Sequence, residues 1–238
     1  MIKLRKADEI YAKDGGWFRA KWHFSFDEYY DPQNMGFGTL RVFNDDALVP
    51  GAIWPMHPHR NIEALTYVPE GTFRHEDSLG NIYTMPAGSV QRMTLGKGAY
   101  HSEQNGSETD PVRFIQVWII PRKAGLEPGV ESRETTAEER TNRLLRVIGP
   151  DREGGSLLVH QDAAMYVSRL EAGEGAGHAF SPDFGGYLLV LEGTVTVGGE
   201  TLANGDAAMI WDEEHITIEA TETAELVMME VRVKARTG

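Results

Sequence analysis

Apolar residues come in short runs along this chain. Most runs alternate with polar positions, and Gly, Pro, Asn or Asp closes each one. A period of two between turn residues is the pattern of strands rather than helices. It predicts strands over 37–43, 63–68, 72–76, 82–85, 89–94 and 114–120. In the second half it predicts them over 157–160, 164–169, 186–191, 194–197, 207–210, 216–220 and 225–233. The stretch from Asp77 to Asn81 reads as a hairpin turn, with Gly80 free to take positive φ. One stretch reads as helix: Thr136 and Glu139 have the spacing of a capping box and precede 140–145.

The pattern repeats loosely. The run from Tyr67 to Thr72, ending Glu-Gly-Thr, is echoed from Leu189 to Thr194, and Gly88 before Ser89 is echoed by Gly205 before Asp206. Between the two halves, 121–150 is rich in Pro, Gly and charge. The expected organisation is all-β: a first barrel over 1–125, a linker with a short helix over 126–150, and a second barrel over 151–238. Rolling each sheet into a barrel removes its open edges.

Composition narrows the chemistry. A chain of 238 residues buries about 70% of its unfolded surface, so a core is available without staples. Cysteine is absent, which excludes disulfides, thiolate zinc sites, iron–sulfur clusters and a cysteine nucleophile. The 23 basic residues against 36 acidic ones give a net charge of −13. Direct nucleic-acid binding needs a basic surface and is not expected, nor is attraction to an anionic membrane. The N-terminal residues mix charge with apolar positions and show no secretory pattern. No apolar run approaches the length of a membrane span. The expected location is the cytoplasm, and the expected state a monomer.

Histidine carries the remaining signal. His57 and His59 stand one residue apart, which on an extended strand puts both imidazoles on one face. His101 and Glu103 repeat the spacing. Either pair alone reads as readily as a surface accident. Facing each other in one barrel, they supply three imidazoles and a carboxylate, a set suited to Fe(II), Mn, Co, Ni, Cu or Zn rather than Ca or Mg. Glu63 shares the strand parity of His57 and His59; a fifth ligand and a plain polar lumen residue are open readings, and the preferred place is behind the ligands, steadying one of them. His178 and His215 stand alone in the second half, so that barrel is expected to be metal-free. His23, His75 and His160 are expected to be structural or superficial. Trp17, Trp22, Trp54 and Trp118 are expected in cores or between the barrels, with Trp54 close enough to wall the pocket.

These residues resemble a known family. Gly51, His57, His59 and Glu63 have the spacing of the first cupin motif, and Gly80, Pro86 and Gly88 that of the start of the second. A cupin would place its next histidine where this chain has Gln91; the histidine arrives ten residues later, at His101. That displacement is similar to the pirin family, as are the segments around Tyr29–Pro32, Met35–Phe37 and Asp77–Asn81, and, more loosely, His160–Ala163 and Ile210–Glu213. The resemblance implies a bicupin whose first barrel holds one metal, commonly iron, on His57, His59, His101 and Glu103. It implies a quercetin 2,3-dioxygenase that cleaves a flavonol with O2 and releases carbon monoxide, with Glu103 also accepting the proton of the substrate's 3-hydroxyl. The alternative is a metal- and redox-sensing protein read by a protein partner; eukaryotic members of the family are better known as nuclear coregulators.

Overall fold

Odd and even positions of the strand Val112–Ile119 look into different cores. Ile115, Val117 and Ile119 belong to one apolar cluster, Val112 and Phe114 to another. Alternating side chains serve two cores only when a sheet is covered on both faces. The computed structural model describes residues 1–233 and places two such sheets at the centre of the molecule. Residues 234–238, the end of the second predicted domain, lie outside the described residues.

The first large sheet runs in the order Gly129–Glu134, Ser89–Thr94, Glu63–Glu70, Val112–Ile119, Leu40–Leu48, Phe18–Trp22, Tyr11–Asp14. A four-stranded sheet faces it, ordered Ile53–His59, Ala99–Asn105, Thr72–Asp77, Ile82–Pro86. The second half repeats this plan. Its large sheet is ordered Ile2–Arg5, Ala207–Ile210, Phe184–Glu192, Ala224–Arg232, Ala163–Leu170, Leu145–Gly149, Leu157–Leu158. Its small one is ordered Gly175–Ala179, His215–Ala220, Thr194–Val197, Glu200–Ala203. The molecule is therefore the all-β pair of barrels that the pattern predicts.

The two large sheets pack back to back. Phe43, Leu65, Tyr67, Ile115 and Val117 of the first meet Val167, Tyr187, Leu189, Val227 and Met229 of the second in one buried cluster. Each fully buried side chain of this size contributes about 1.5–3 kcal/mol, so the seam between barrels is a principal source of stability. Two strands lie across the sequence-drawn boundaries: Ile2–Arg5 pairs with Ala207–Ile210 in the second barrel, and Gly129–Glu134 pairs with Ser89–Thr94 in the first.

The sequence echo marks equivalent turns. Gly71 and Gly193 both have positive φ, and a Cβ there would sit 2.3 Å from the Pro111 carbonyl oxygen and 2.2 Å from that of Thr223. Only glycine fits either corner. The capping box at Thr136 forms, with reciprocal bonds to Glu139, but the helix is only Ala137–Arg140. The expected continuation through 145 fails because Asn142 turns left-handed and Leu145 begins a strand.

Candidate metal centre

The strands Ile53–His59 and Ala99–Asn105 are antiparallel neighbours, and their register puts His57 directly opposite His101. His59 lies on the same face, two residues from His57. The three rings meet with centroids 4.5 Å apart for His57 and His101, 4.8 Å for His57 and His59, and 5.2 Å for His59 and His101. One ligand nitrogen from each lies within 4.8 Å of the others. The hydrogen bonding suits a cation. His57 Nδ1 donates to the Pro55 carbonyl at 2.8 Å, which leaves Nε2 as the lone-pair nitrogen. His59 Nε2 and His101 Nε2 are buried without a partner. Burial, then the neighbouring His57, lowers the pKa of His59 to about 4; burial and three neighbouring imidazoles lower that of His101 to about 2. Both are held neutral, as a metal ligand must be.

Glu103 opens onto the same cavity but is not among the mutually close donors. The register slips between His101 and Glu103, so Glu103 pairs with Trp54. Its Oε1 accepts a hydrogen bond from Gln116 Nε2, and Gln116 Oε1 accepts one from Thr66 at 3.2 Å. Burial raises the Glu103 pKa to about 7 against the opposing bond from Gln116.

A cavity of about 310 Å³ adjoins the imidazoles, lined also by Phe26, Asn44, Asp46, Trp54, Gln116 and Trp118. Trp54 walls it as expected. Trp118 does not lie between the barrels: its ring stands 4.6 Å from that of His59. Trp17 is 38% exposed rather than in a core. Asn44, Asp46, Gln116 and Phe26 were not anticipated. The available signal for Gln116 is a polar residue at an inward position of the apolar run 112–119. Burial, reinforced by Glu103 and Asp45, holds the Asp46 carboxyl well above its usual range.

Glu63 is not behind the ligands. The strand carrying His57 and His59 ends at His59, Asn61 turns left-handed, and Glu63 begins a strand of the opposite sheet. Strand parity does not survive that change of sheet. Glu63 instead accepts from His160 Nδ1 at 2.8 Å and from Thr94 at 3.1 Å, tying the two halves together. His75 stands beside His101, ring centroids 5.6 Å apart, with Nε2 bonded to buried Asp77 at 2.8 Å. In the second barrel, His178 Nε2 meets Glu230 at 3.1 Å, and His215 is exposed. Among the described residues the three imidazoles of the first barrel are the group close enough to share an ion.

Comparison with known proteins places this geometry. Residues 4–119 match the family model described as Pirin, and residues 146–231 match that of the quercetinase C-terminal cupin domain. A protein of Escherichia coli K12 named quercetin 2,3-dioxygenase is 40% identical over 232 residues, 97% of this chain and 99% of the relative. A pirin-like protein of Caulobacter vibrioides is also 40% identical, over 97% and 99% of the two chains. The crystal structure of the bacterial pirin YhhW of Escherichia coli in complex with nickel(II) superposes with a TM-score of 0.92. It is 39% identical and covers 98% of this chain and 100% of its own.

Proposed function

The chain belongs to the pirin family, and on that premise we propose that it is a metal-dependent dioxygenase that cleaves a flavonol such as quercetin with O2, releasing carbon monoxide. The observation that carries the reading is the set of three converging imidazoles beside a buried carboxyl in an aromatic-walled cavity. His57, His59 and His101 hold one divalent transition metal in the first barrel, with Glu103 as fourth ligand, and the second barrel holds none. We take iron(II) as the resident ion; Mn, Co, Ni, Cu and Zn suit the same donors. A relative's nickel complex supports a divalent ion without fixing which. Among the described residues no helix is long and apolar enough to cross a membrane.

When bound, the metal supplies a Lewis-acidic position that lowers the pKa of the substrate's 3-hydroxyl. Glu103 accepts that proton. Without metal, burial raises its pKa to about 7; a bound cation would favour the carboxylate, leaving Glu103 ionised to take the proton. Gln116, braced by Thr66, orients the Glu103 carboxyl through the bond to Oε1. Phe26, Trp54 and Trp118 hold the flat rings and exclude water from the reacting face. The flavonolate and O2 then yield the ring-opened ester and carbon monoxide, one per substrate.

The test is aerobic incubation of the iron-loaded protein with quercetin, following flavonol absorbance and carbon monoxide together. The reading requires multiple turnovers with one carbon monoxide released per flavonol consumed. Consumption no faster than in protein-free buffer would sink it.

A further inference from the structure

Asn44 and Asp46 give the first barrel a hydrogen-bonding capacity that metal binding does not use. Both lie on Leu40–Leu48 of the large sheet, whereas the three imidazoles come from the small sheet that faces it. Both line the cavity. Asp46 is 6% exposed, and its Oδ1 is buried without a hydrogen-bond partner; Asn44 Oδ1 is in the same state. Native proteins rarely leave such acceptors unsatisfied unless a ligand or water completes them. The cavity lining contains neither Lys nor Arg, so no cation of the protein answers the Asp46 carboxyl there.

The second barrel shows that the fold does not require this polarity. Asp46 lies opposite Phe114, and Leu48 opposite Val112; in the second barrel Ser168 lies opposite Leu226, and Leu170 opposite Ala224. Serine thus occupies the position equivalent to Asp46. The carboxyl is an addition of the barrel that carries the imidazoles.

We propose that Asp46, with Asn44, is a subsite that recognises the phenolic hydroxyls of a flat aromatic substrate away from its metal-binding edge. The hydroxyls donate to the Asp46 carboxyl and to Asn44 Oδ1, while Phe26 and Trp118 flank the ring. The ligand class is therefore a polyhydroxylated aromatic rather than an unsubstituted one. This inference rests on the flavonol reading and adds to it the part of the ligand that is selected. These hydrogen bonds discriminate, because an analogue lacking the hydroxyls leaves the buried Asp46 and Asn44 oxygens unpaired.

The test is anaerobic binding to the metal-loaded protein, by calorimetry, of two probes: quercetin, and 3-hydroxyflavone, which keeps the 3-hydroxyl and lacks the others. Wild type should prefer quercetin by about 10-fold or more. Asp46→Ala should bring the two probes within about 2-fold, by weakening quercetin and leaving 3-hydroxyflavone nearly unchanged. Asp46→Asn, which keeps one acceptor and the shape, should fall between. If Asp46→Ala does not fold, Asp46→Asn decides, and an unreduced preference there overturns the subsite. A folded Asp46→Ala that keeps the preference, or weakens both probes equally, also overturns it and leaves the flavonol reading standing. Failure of wild type to bind either probe overturns the flavonol reading, and the subsite with it.

Discussion

The two barrels share one strand plan and differ in what fills them, along one row of inward-facing positions among others. Across the large sheet of the first, the register aligns Asn44, Gln116, Thr66 and Gln91. The equivalent row of the second aligns Tyr166, Met228, Leu188 and Ala208. In the second barrel these residues join an apolar interior with Val190, Ile210, Ile218 and Leu226. In the first, apolar clusters around Phe73, Phe114 and Met85 and around Ala64, Met93 and Leu95 leave a polar, histidine-bearing stretch between them. Closing a barrel thus requires only the strand pattern and the glycine corners. What fills it is free to serve packing in one copy and chemistry in the other, and the shared apolar seam helps the polar barrel bear buried groups that cost stability.

The largest expected effect of breaking this difference is at the carboxyl. Glu103→Gln keeps the shape and one oxygen donor but removes the proton acceptor. Turnover should fall by about 10²-fold or more while metal stays bound, measured as single-turnover rate and metal content on the same sample. An unchanged rate would remove Glu103 from the role of base.

Moving a polar residue into the second barrel should cost stability and leave chemistry alone. Met228 is fully buried among apolar neighbours. Met228→Gln places an amide there without partners, a loss of about 1–3 kcal/mol, seen as a lower denaturant midpoint with kcat unchanged.

The reverse exchange, Gln116→Met, removes the donor that holds Glu103 Oε1. The bond lowers the Glu103 pKa, so its loss should raise it. The acid limb of the pH–rate profile should move to higher pH, and the neutral rate should fall by about 10-fold. A lower rate with an unmoved profile would mean that Gln116 only shapes the cavity.

Acid stability gives a smaller but signed effect. His59 and His101 titrate in the folded chain at about 4 and about 2, below about 6.5 when unfolded. The unfolded chain therefore takes up protons first, and their contribution, full above about pH 6.5, is lost as pH falls toward about 4 and about 2 respectively. Glu103 acts oppositely: with a folded pKa of about 7, it costs stability as pH rises from about 4.3, the unfolded value, to about 7. Removing it removes a gain on acidification. Between about pH 7 and 4.5, metal-free Glu103→Gln should lose more in Tm than metal-free wild type, by a few degrees on the order of 2–4 °C.

Much of this division was legible in the residues. The period-two runs and the Glu-Gly-Thr echo predict two similar all-β halves, because the corners at Gly71 and Gly193 demand the same residue. The spacing of His57, His59 and His101 predicts their convergence, because cross-strand register brings i and i+2 pairs together. Other strands were missed: Tyr11–Asp14 and Gly129–Glu134 are short and charged, and they add to sheet edges where apolar alternation is not needed. Glu63 was misplaced because parity was carried across a turn into another sheet. Asn44 and Asp46 were missed because inward polarity on Leu40–Leu48 shows only once the strand's partner across the barrel is known.

On the proposed reading, one interior holds metal and the other only packs. Elemental analysis of purified wild type, His101→Ala and His178→Ala separates the two. One equivalent of divalent transition metal per chain is expected in wild type and in His178→Ala, and loss of that equivalent in His101→Ala with the fold retained. Two equivalents in wild type, with one lost in His178→Ala, would contradict it.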